Sequence, residues 1–355
     1  MIDPPSKSSN MASFIPFNDY IEQCTTARRG IGDVCRYGVD FLDRHLLGIH
    51  PTEIVVVTAN PSVGKSDFVL GIAIKNLAAG KRVAIFMLEG DKGEPGDRMK
   101  WLFIANDPKY REALKPYSYV AYRLGLIPRE VIEPIEDEVV LRMNKAFKHL
   151  IIYDKMVDQS VENIQSNLSQ LNGKVDLIVI DHLHYFHMFS NKSENEQVRE
   201  IMMSINKCTD AYRIPVILVA HTRKPEKFVD DLIPNMSSVL GTKSVVNIAH
   251  TVISMANFES PLQKTGKFVT LFKILKSRNG YKNKNCFVKL FDMGKRIYDK
   301  GWGEYTPYWN KDKVDGAGYS LKVQESGDLT NEGRDALDSL ILPFFTQFGG
   351  SQGGR

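Results

Sequence analysis

The 355-residue chain has few cysteines, no long apolar run and little net charge. Its four cysteines are scattered without a Cys-x-x-Cys pair, which indicates a reducing, cytoplasmic compartment and neither a disulfide framework nor a zinc module. No apolar stretch approaches the roughly 20 residues that span a bilayer, so we expect no membrane anchor. The polar first ten residues lack the apolar core of a signal peptide, and either Met1 or Met11 is the native start. A net charge of +4 permits a nucleic-acid partner without indicating one.

Composition divides the chain into three parts. Residues 1–30 are predicted to be a disordered leader and a short arm, with a helix near 14–29. Residues 31–310 alternate apolar strands with helices and are long enough to build one large core. Residues 311–355 are polar and partly acidic, and are predicted to be a C-terminal tail outside the core.

Apolar segments rich in valine and isoleucine recur through the large domain without polar alternation. This pattern is typical of strands buried on both faces by helices, so it predicts an α/β fold with a mainly parallel sheet. The stretch 96–148 is predicted to be mostly helical. Two later segments, 267–276 and 286–298, are predicted to form an antiparallel pair at one edge of the sheet. The predicted parallel strands are 53–58, 83–88, 149–153, 176–181, 215–220 and 250–255.

A phosphate-binding loop follows the first strand. Ala59-Asn-Pro-Ser-Val-Gly-Lys-Ser66 matches the pattern of Gly, four free positions, Gly, Lys and Ser at every position but the first. Gly64 lets the backbone approach phosphate, Lys65 supplies a charge for the β- and γ-phosphates, and the Ser66 hydroxyl is placed for Mg²⁺. The alternative is an ordinary strand–turn–helix with a chance Gly-Lys-Ser. The candidate nucleotide-binding residues are Asn60, Pro61, Ser62, Val63, Gly64, Lys65 and Ser66.

Polar residues follow three further predicted strands. Asp181 ends a run of four apolar residues, where an acid can hold the Mg²⁺ shell, although many buried strands end in a capping Asp. Glu89 can orient or deprotonate the attacking water; the alternatives are a solvated strand end and the competitors Asp91 and Glu94. His221 can sense the γ-phosphate or merely cap its strand.

Three histidines, His182, His184 and His187, follow Asp181. Alternate positions on a strand share a face, so two imidazoles could meet one metal ion. No cysteine or carboxylate partner is evident nearby in the sequence, so surface or loop contacts are favoured over a metal site.

Two basic residues, Lys276 and Arg278, end the late strand 267–276 or follow it directly. Their spacing predicts that they point the same way. At a sheet edge, such a pair could cross a subunit boundary and neutralise charge on a neighbour's ATP, as an arginine finger does. The alternative is a solvated basic turn.

Short motifs occur in one order along the chain. They are Tyr37–Asp43, Gly48–Pro51, Ala59–Ser66, Met87–Glu89, Ile180–Leu183, His221–Pro225 and Lys276–Gly280. This series resembles the RecA-like motor domain of DnaB-type hexameric replicative helicases over about residues 31–298. The block after His221 and the segment Leu240–Ser244 are similar to the Twinkle and phage primase–helicase branch.

The resemblance implies ATP and Mg²⁺ binding at residues 60–66 and Asp181, a catalytic Glu89, a γ-phosphate sensor at His221, and trans-acting Lys276 and Arg278. It further implies translocation on single-stranded DNA by a homo-hexameric ring, with a primase, polymerase or loader as candidate partners of the tail. A phage-encoded chain would act in the host cytoplasm. The residues implied to face the DNA are Lys192, Gly241, Thr242, Lys243 and Ser244.

Two other functions stay open, and three departures from the family are visible. The first alternative is a recombinase-like or regulatory RecA-family ATPase that does not unwind DNA, and the second is a nucleotide-binding adaptor without enzymatic activity. Ala59 replaces the first loop glycine, and His250 stands where the family usually has an acid. No primase or helical collar sequence precedes residue 31, so ring assembly is expected to depend on the arm at 14–29.

Overall fold

The computed structural model divides the chain into two compact units, residues 1–34 and 35–355. In the first unit, Ile21 and Glu22 are helical, and the rest of the helix predicted at 14–29 lies outside the described residues. The structure describes residues 21–22, 34–88, 93–153, 161–183, 193–221, 236, 242–258, 266–279, 286–298, 302–309 and 317–324.

The described residues of the second unit contain one mixed sheet of eleven strands. The strands are β1 (Ile54–Ala59), β2 (Val83–Met87), β3 (Leu150–Ile152), β4 (Leu177–Asp181), β5 (Val216–His221), β6 (Thr251–Phe258), β7 (Lys267–Ser277), β8 (Cys286–Asp292), β9 (Ile297–Tyr298), β10 (Trp302–Trp309) and β11 (Ala317–Gln324). Their order is β11-β10-β8-β7-β6-β1-β5-β4-β2-β3, with β9 paired to β8. From β6 to β3 all five pairings are parallel, which confirms the predicted α/β fold with a parallel sheet, and the other five pairings are antiparallel.

Helices cover both faces of the parallel strands, as unbroken apolar strands require. The helices are α1 (Asp40–Leu46), α2 (Lys65–Ala78), α3 (Glu94–Ala105), α4 (Tyr119–Arg123), α5 (Arg129–Ala146), α6 (Val161–Gln170), α7 (Glu194–Tyr212) and α8 (Thr242–Ile248). Among the described residues, no helix is long and apolar enough to cross a bilayer.

Alternate residues of β1 divide between two hydrophobic cores because successive strand side chains point to opposite faces. Val55 and Val57 pack with α1 and α2 on one face. Ile54 and Val56 pack with α6, α7 and α8 on the other. A third core lies within the helical stretch predicted at 96–148, around the fully buried Trp101 and Val139.

The antiparallel part of the sheet is larger than predicted. The pair predicted from 267–276 and 286–298 is present as β7 and β8, with a turn before the short β9. However, β10 pairs with β8 and β11 with β10, so β7 lies inside the sheet. Residues 317–324, predicted to belong to the tail, form β11 instead, while 325–355 lie outside the described residues.

Candidate nucleotide-binding site

The phosphate-binding loop joins the end of β1 to the start of α2, as its pattern predicts. Gly64 caps α2 with φ +92°, and Ser62 has φ +64°. At the amino end of an α-helix the backbone N–H groups have no partner within the helix and the helix dipole is positive, so this end of α2 favours an anion. One face of this helix is apolar and buried, and it consists of Val69, Ile72, Ala73 and Leu77.

Gly64 is covered by two aromatic side chains from distant strands. A Cβ atom at Gly64 would lie 2.8 Å from the Tyr298 Oη and 3.0 Å from the Phe291 Cζ. Tyr298 Oη donates to the carbonyls of Val63 and Gly64 at 3.3 and 3.4 Å. Glycine is therefore required at this position by space as well as by its positive φ.

Lys65 begins α2 with a buried side chain that turns back over the loop. Its Nζ donates to the carbonyl oxygens of Ala59 at 3.0 Å and Asn60 at 2.8 Å. Only 6 % of the residue is exposed, so the ammonium is confined to the loop. This placement fits a phosphate group because the cation and the helix amino end act on the same loop.

The carboxyl ends of neighbouring parallel strands bring the predicted polar residues to one edge. His221 pairs with Ala59 across β5 and β1, and Asp181 pairs with Met87 across β4 and β2. Asp181 is 1 % exposed, and its carbonyl accepts from the Leu88 N–H at 2.7 Å. The donor set of a serine hydroxyl, a buried carboxylate and a lysine is the one that Mg²⁺ and a triphosphate use in such sites.

Glu89 lies outside the described residues, whereas its competitor Glu94 is described. Glu94 Oε1 accepts from Arg98 Nε at 2.8 Å, and its other oxygen is 3.5 Å from Arg123 Nη1. Both oxygens of this carboxylate are therefore engaged by arginine side chains. This contact favours Glu89 over Glu94 as the base; the other competitor, Asp91, also lies outside the described residues.

His182 lies against the predicted sensor. The Nε2 atoms of His182 and His221 are 2.9 Å apart, and the rings meet at 76°. One ring must donate and the other accept, so at least one imidazole is neutral in this contact. His184 and His187 lie outside the described residues. Among the residues that the structure describes, no group of three metal-binding side chains occurs.

Asp67, which follows Ser66 directly, is a buried carboxylate that is not among the predicted site residues. Both of its oxygens accept from Arg296 Nε, at 3.1 and 3.0 Å. Burial raises the pKa of the Asp67 carboxyl, and the charges of Arg296 and then Arg98 oppose that rise. An acid in the first turn of a helix is a common N-terminal signal, but nothing local in the sequence identifies its arginine partner.

Lys276 and Arg278 both reach the carboxyl end of α8, in line with their predicted common direction. Lys276 Nζ donates to the carbonyls of Val246 at 2.5 Å and Ala249 at 2.7 Å, and Arg278 Nη2 donates to the carbonyl of Asn247 at 2.7 Å. Burial, followed by the charge of Arg278, lowers the pKa of Lys276. The predicted sheet-edge position is wrong, because β8, β10 and β11 lie outside β7.

The segment predicted to be a DNA-facing loop is helical where it is described. The first turn of α8 consists of Thr242, Lys243 and Ser244. Val245 and Ala249 are fully buried and hold this segment on the sheet. Ser244 is half-buried, whereas the side chains of Thr242 and Lys243 lie outside the described part of the chain. Lys192 and Gly241, which were also predicted to face the DNA, lie wholly outside the described residues.

His250 links the start of β1 to the end of β7. Its Nδ1 accepts from the Ile54 N–H at 3.2 Å, while its backbone N–H donates to the Ile54 carbonyl at 2.8 Å. Its own carbonyl accepts from the Arg278 N–H at 3.0 Å. Burial, followed by the charge of Arg278, lowers the pKa of His250, which favours the neutral ring that this contact needs. The departure at His250 therefore has a structural explanation.

Known proteins share the fold of this chain. The family model "DnaB-like helicase C terminal domain" matches residues 35–291. The chain belongs to this family. Solved structures show the same RecA-like fold: one solved ATPase domain aligns with a TM-score of 0.62 and 19 % identity, covering 79 % of this chain and 96 % of that one.

Relatives with known names are distant and longer. The "Probable plasmid replicative DNA helicase" of Chlamydia psittaci is 24 % identical over 246 residues, covering 68 % of this chain and 51 % of the relative. The "DNA helicase/primase" of Enterobacteria phage T3 is 22 % identical over 281 residues, covering 77 % and 47 %. The chain thus spans about half the length of these relatives.

Proposed function

We propose that the chain is the ATP-hydrolysing motor of a replicative DNA helicase that translocates on single-stranded DNA as a hexameric ring. The observation that carries this proposal is the alignment of Lys65, Asp181 and His221 at one edge of a RecA-like sheet in a member of the DnaB-like family. Relatives that match 68 % of this chain are named replicative DNA helicases.

ATP binds at residues 60–66 in this proposal. The loop and Lys65 hold the β- and γ-phosphates. His221, at the end of the neighbouring strand β5, acts as the sensor of the γ-phosphate. Ser66 and Asp181 would hold Mg²⁺, which supplies charge neutralisation on the phosphate oxygens. The buried position of Asp181 fits this role, because a metal ion compensates a carboxylate that is removed from water.

Glu89 orients and deprotonates the attacking water in the proposed mechanism. Glu89→Gln keeps the shape of the side chain without its basic oxygen, so ATP binding should persist while hydrolysis falls by about a hundredfold or more. Single-turnover hydrolysis and ATP titration of the same preparation measure the two quantities. Glu94→Gln is the matched control, since Glu94 is engaged by Arg98. A large loss in the Asp91 or Glu94 variant together with near-normal Glu89→Gln would overturn the assignment.

DNA binding is proposed to be electrostatic and tolerant of sequence, through Lys192 and the segment 241–244. Lys243→Ala should weaken single-strand affinity for every sequence and lower the salt slope by roughly one ion. Titrations of labelled oligonucleotides at several salt concentrations give the slope. Lys207→Ala, which removes an exposed lysine of α7, is the control and should leave it unchanged. An unchanged slope in Lys243→Ala would move the contact elsewhere, with Lys192 and Lys227 next to be tested.

A hexameric ring would bring Lys276 and Arg278 to a neighbour's ATP. A primase is a proposed partner, since one relative is a helicase/primase and a solved DnaB-like helicase is described with its primase interactions. That solved structure aligns with a TM-score of 0.62 and 18 % identity, covering 81 % of this chain and 67 % of that one. Residues 325–355 are the proposed docking segment for a primase, polymerase or loader.

Two measurements test the proposed function. ATP hydrolysis should occur and rise on addition of single-stranded DNA, and mass photometry with ATP and DNA should show six subunits. A chain that binds ATP without hydrolysing it would be an adaptor. Hydrolysis in filaments without strand displacement would instead support the recombinase-like or regulatory alternative.

A further inference from the structure

The first turn of α2 carries a negative charge beside the proposed phosphate site. Asp67 follows Ser66 in sequence, and its side chain is 1 % exposed. A carboxylate so close to a triphosphate would repel it, and a buried unpaired carboxylate is itself costly. The charge therefore needs a dedicated partner.

Arg296 is that partner. Its Nε lies 3.1 and 3.0 Å from the two oxygens of Asp67. Arg98 is a poor substitute, since its Nη1 is 3.9 Å from Asp67 while its other nitrogens hydrogen-bond Glu94. Glu94 in turn faces Arg123. The charges alternate through this cluster, and Arg296 is the cation closest to Asp67.

The turn that carries Arg296 is held from several sides. The guanidinium stacks over the Tyr119 ring at 5.1 Å from its centroid. The Tyr119 N–H donates to the Gly294 carbonyl at 2.8 Å, and Trp101 Nε1 donates to the Lys295 carbonyl at 2.7 Å. The turn also continues into Tyr298, which covers Gly64. Arg296 is thus preorganised, and the contacts that fix it come from the helices between β2 and β3.

We propose that Arg296 is a positioning residue for nucleotide binding: it neutralises Asp67 and fixes the first turn of the phosphate-binding helix, so that the loop accepts a nucleoside triphosphate. This inference rests on the proposed nucleotide site. It gives the β8–β9 turn a role in nucleotide binding, and the contact with Tyr119 extends that role to the helical stretch 96–148. Arg296 acts through Asp67 and the loop, not on the reacting atoms.

The test compares how substitutions of Arg296 and of Asp67 change the affinity for nucleotide. In Arg296→Gln the carboxylate loses its cation, so the dissociation constant of a non-hydrolysable ATP analogue should rise by about tenfold or more. In Asp67→Asn the repulsive charge is gone and Arg296 remains, so affinity should stay the same or increase. The double variant should return close to wild type, because both charges are removed. A purely structural pair would instead make both single variants lose affinity.

Controls separate charge from folding. Arg296→Lys keeps the charge but not the planar fork and should recover part of the affinity. Lys295→Gln removes a neighbouring charge that contacts the Leu114 carbonyl, and it should leave affinity unchanged. Hydrolysis assays should show the change of Arg296→Gln in KM more than in kcat. Thermal unfolding of each variant confirms that the titrated protein is folded.

Each result has one meaning. Loss of affinity in Arg296→Gln, with unchanged or higher affinity in Asp67→Asn, supports the pairing. Equal losses in both, or unchanged affinity in Arg296→Gln, overturn it while leaving the ATPase proposal standing if the wild-type chain binds the analogue. A wild-type chain that binds no ATP analogue overturns the proposed function and this inference with it.

Discussion

Lys65→Ala is expected to lower ATP hydrolysis by about a thousandfold while the protein stays folded. The ammonium is the cation confined to the loop by the carbonyls of Ala59 and Asn60. On the transferred phosphate it stabilises charge that develops during the reaction, and alanine leaves that charge without a partner. Steady-state phosphate release measures the loss, and circular dichroism with thermal unfolding measures the fold.

Lys75→Ala is the matched control for this experiment. Lys75 lies on the same helix and is exposed, so its removal changes the net charge equally without touching the loop. Turnover should stay near wild type in this variant. Near wild-type turnover in Lys65→Ala, with ATP still bound, would contradict the phosphate role of the loop.

Arg278→Ala subunits are expected to hydrolyse ATP poorly by themselves, by a factor on the order of 10³, because a finger arginine stabilises transition-state charge. In this chain Arg278 donates to the Asn247 carbonyl at the end of α8. The phosphate-binding loop of the same subunit follows β1, and β6 separates β1 from the strand β7 that Arg278 follows. The proposed target of Arg278 is therefore the ATP of a neighbouring subunit. Mixing with Lys65→Ala subunits, which keep their arginine, should recover part of the activity.

The recovery comes from interfaces that pair an intact loop with an intact arginine. Activity of mixtures at several ratios, measured beside the subunit count, separates this result from simple dilution. Arg213→Ala is a control of the same chemistry at the end of α7, and it should leave activity near wild type. A protein that stays monomeric with ATP and DNA, yet loses activity on Arg278→Ala, would show the arginine acting within its own chain and would contradict the ring.

The parts of the site that depend on local sequence were predictable. The loop at 59–66 and the strand-end positions of Asp181 and His221 follow from apolar runs that end in a polar residue, and the parallel sheet then brings those ends to one edge. The fold class follows from the same runs, because both faces of each strand are apolar.

Sheet order and long-range pairing were not predictable from the sequence. The position of β7 depends on β10 and β11, which carry Pro307 and closely spaced aromatic residues instead of a clear alternation. Arg296 and Asp67 are 229 residues apart, and Tyr298 and Val63 are 235 apart. No local pattern marks such partners, since only the folded sheet brings β8 and β9 over the phosphate loop.

Strand displacement from a forked DNA duplex tests the central claim most directly. With ATP and Mg²⁺, the wild-type chain should release the labelled strand, whereas Lys65→Ala should release none under the same conditions. Release that requires a single-stranded tail and hydrolysable ATP is the result that a helicase motor predicts. A chain that hydrolyses ATP in response to single-stranded DNA and forms rings, yet never separates the fork, would contradict the helicase motor.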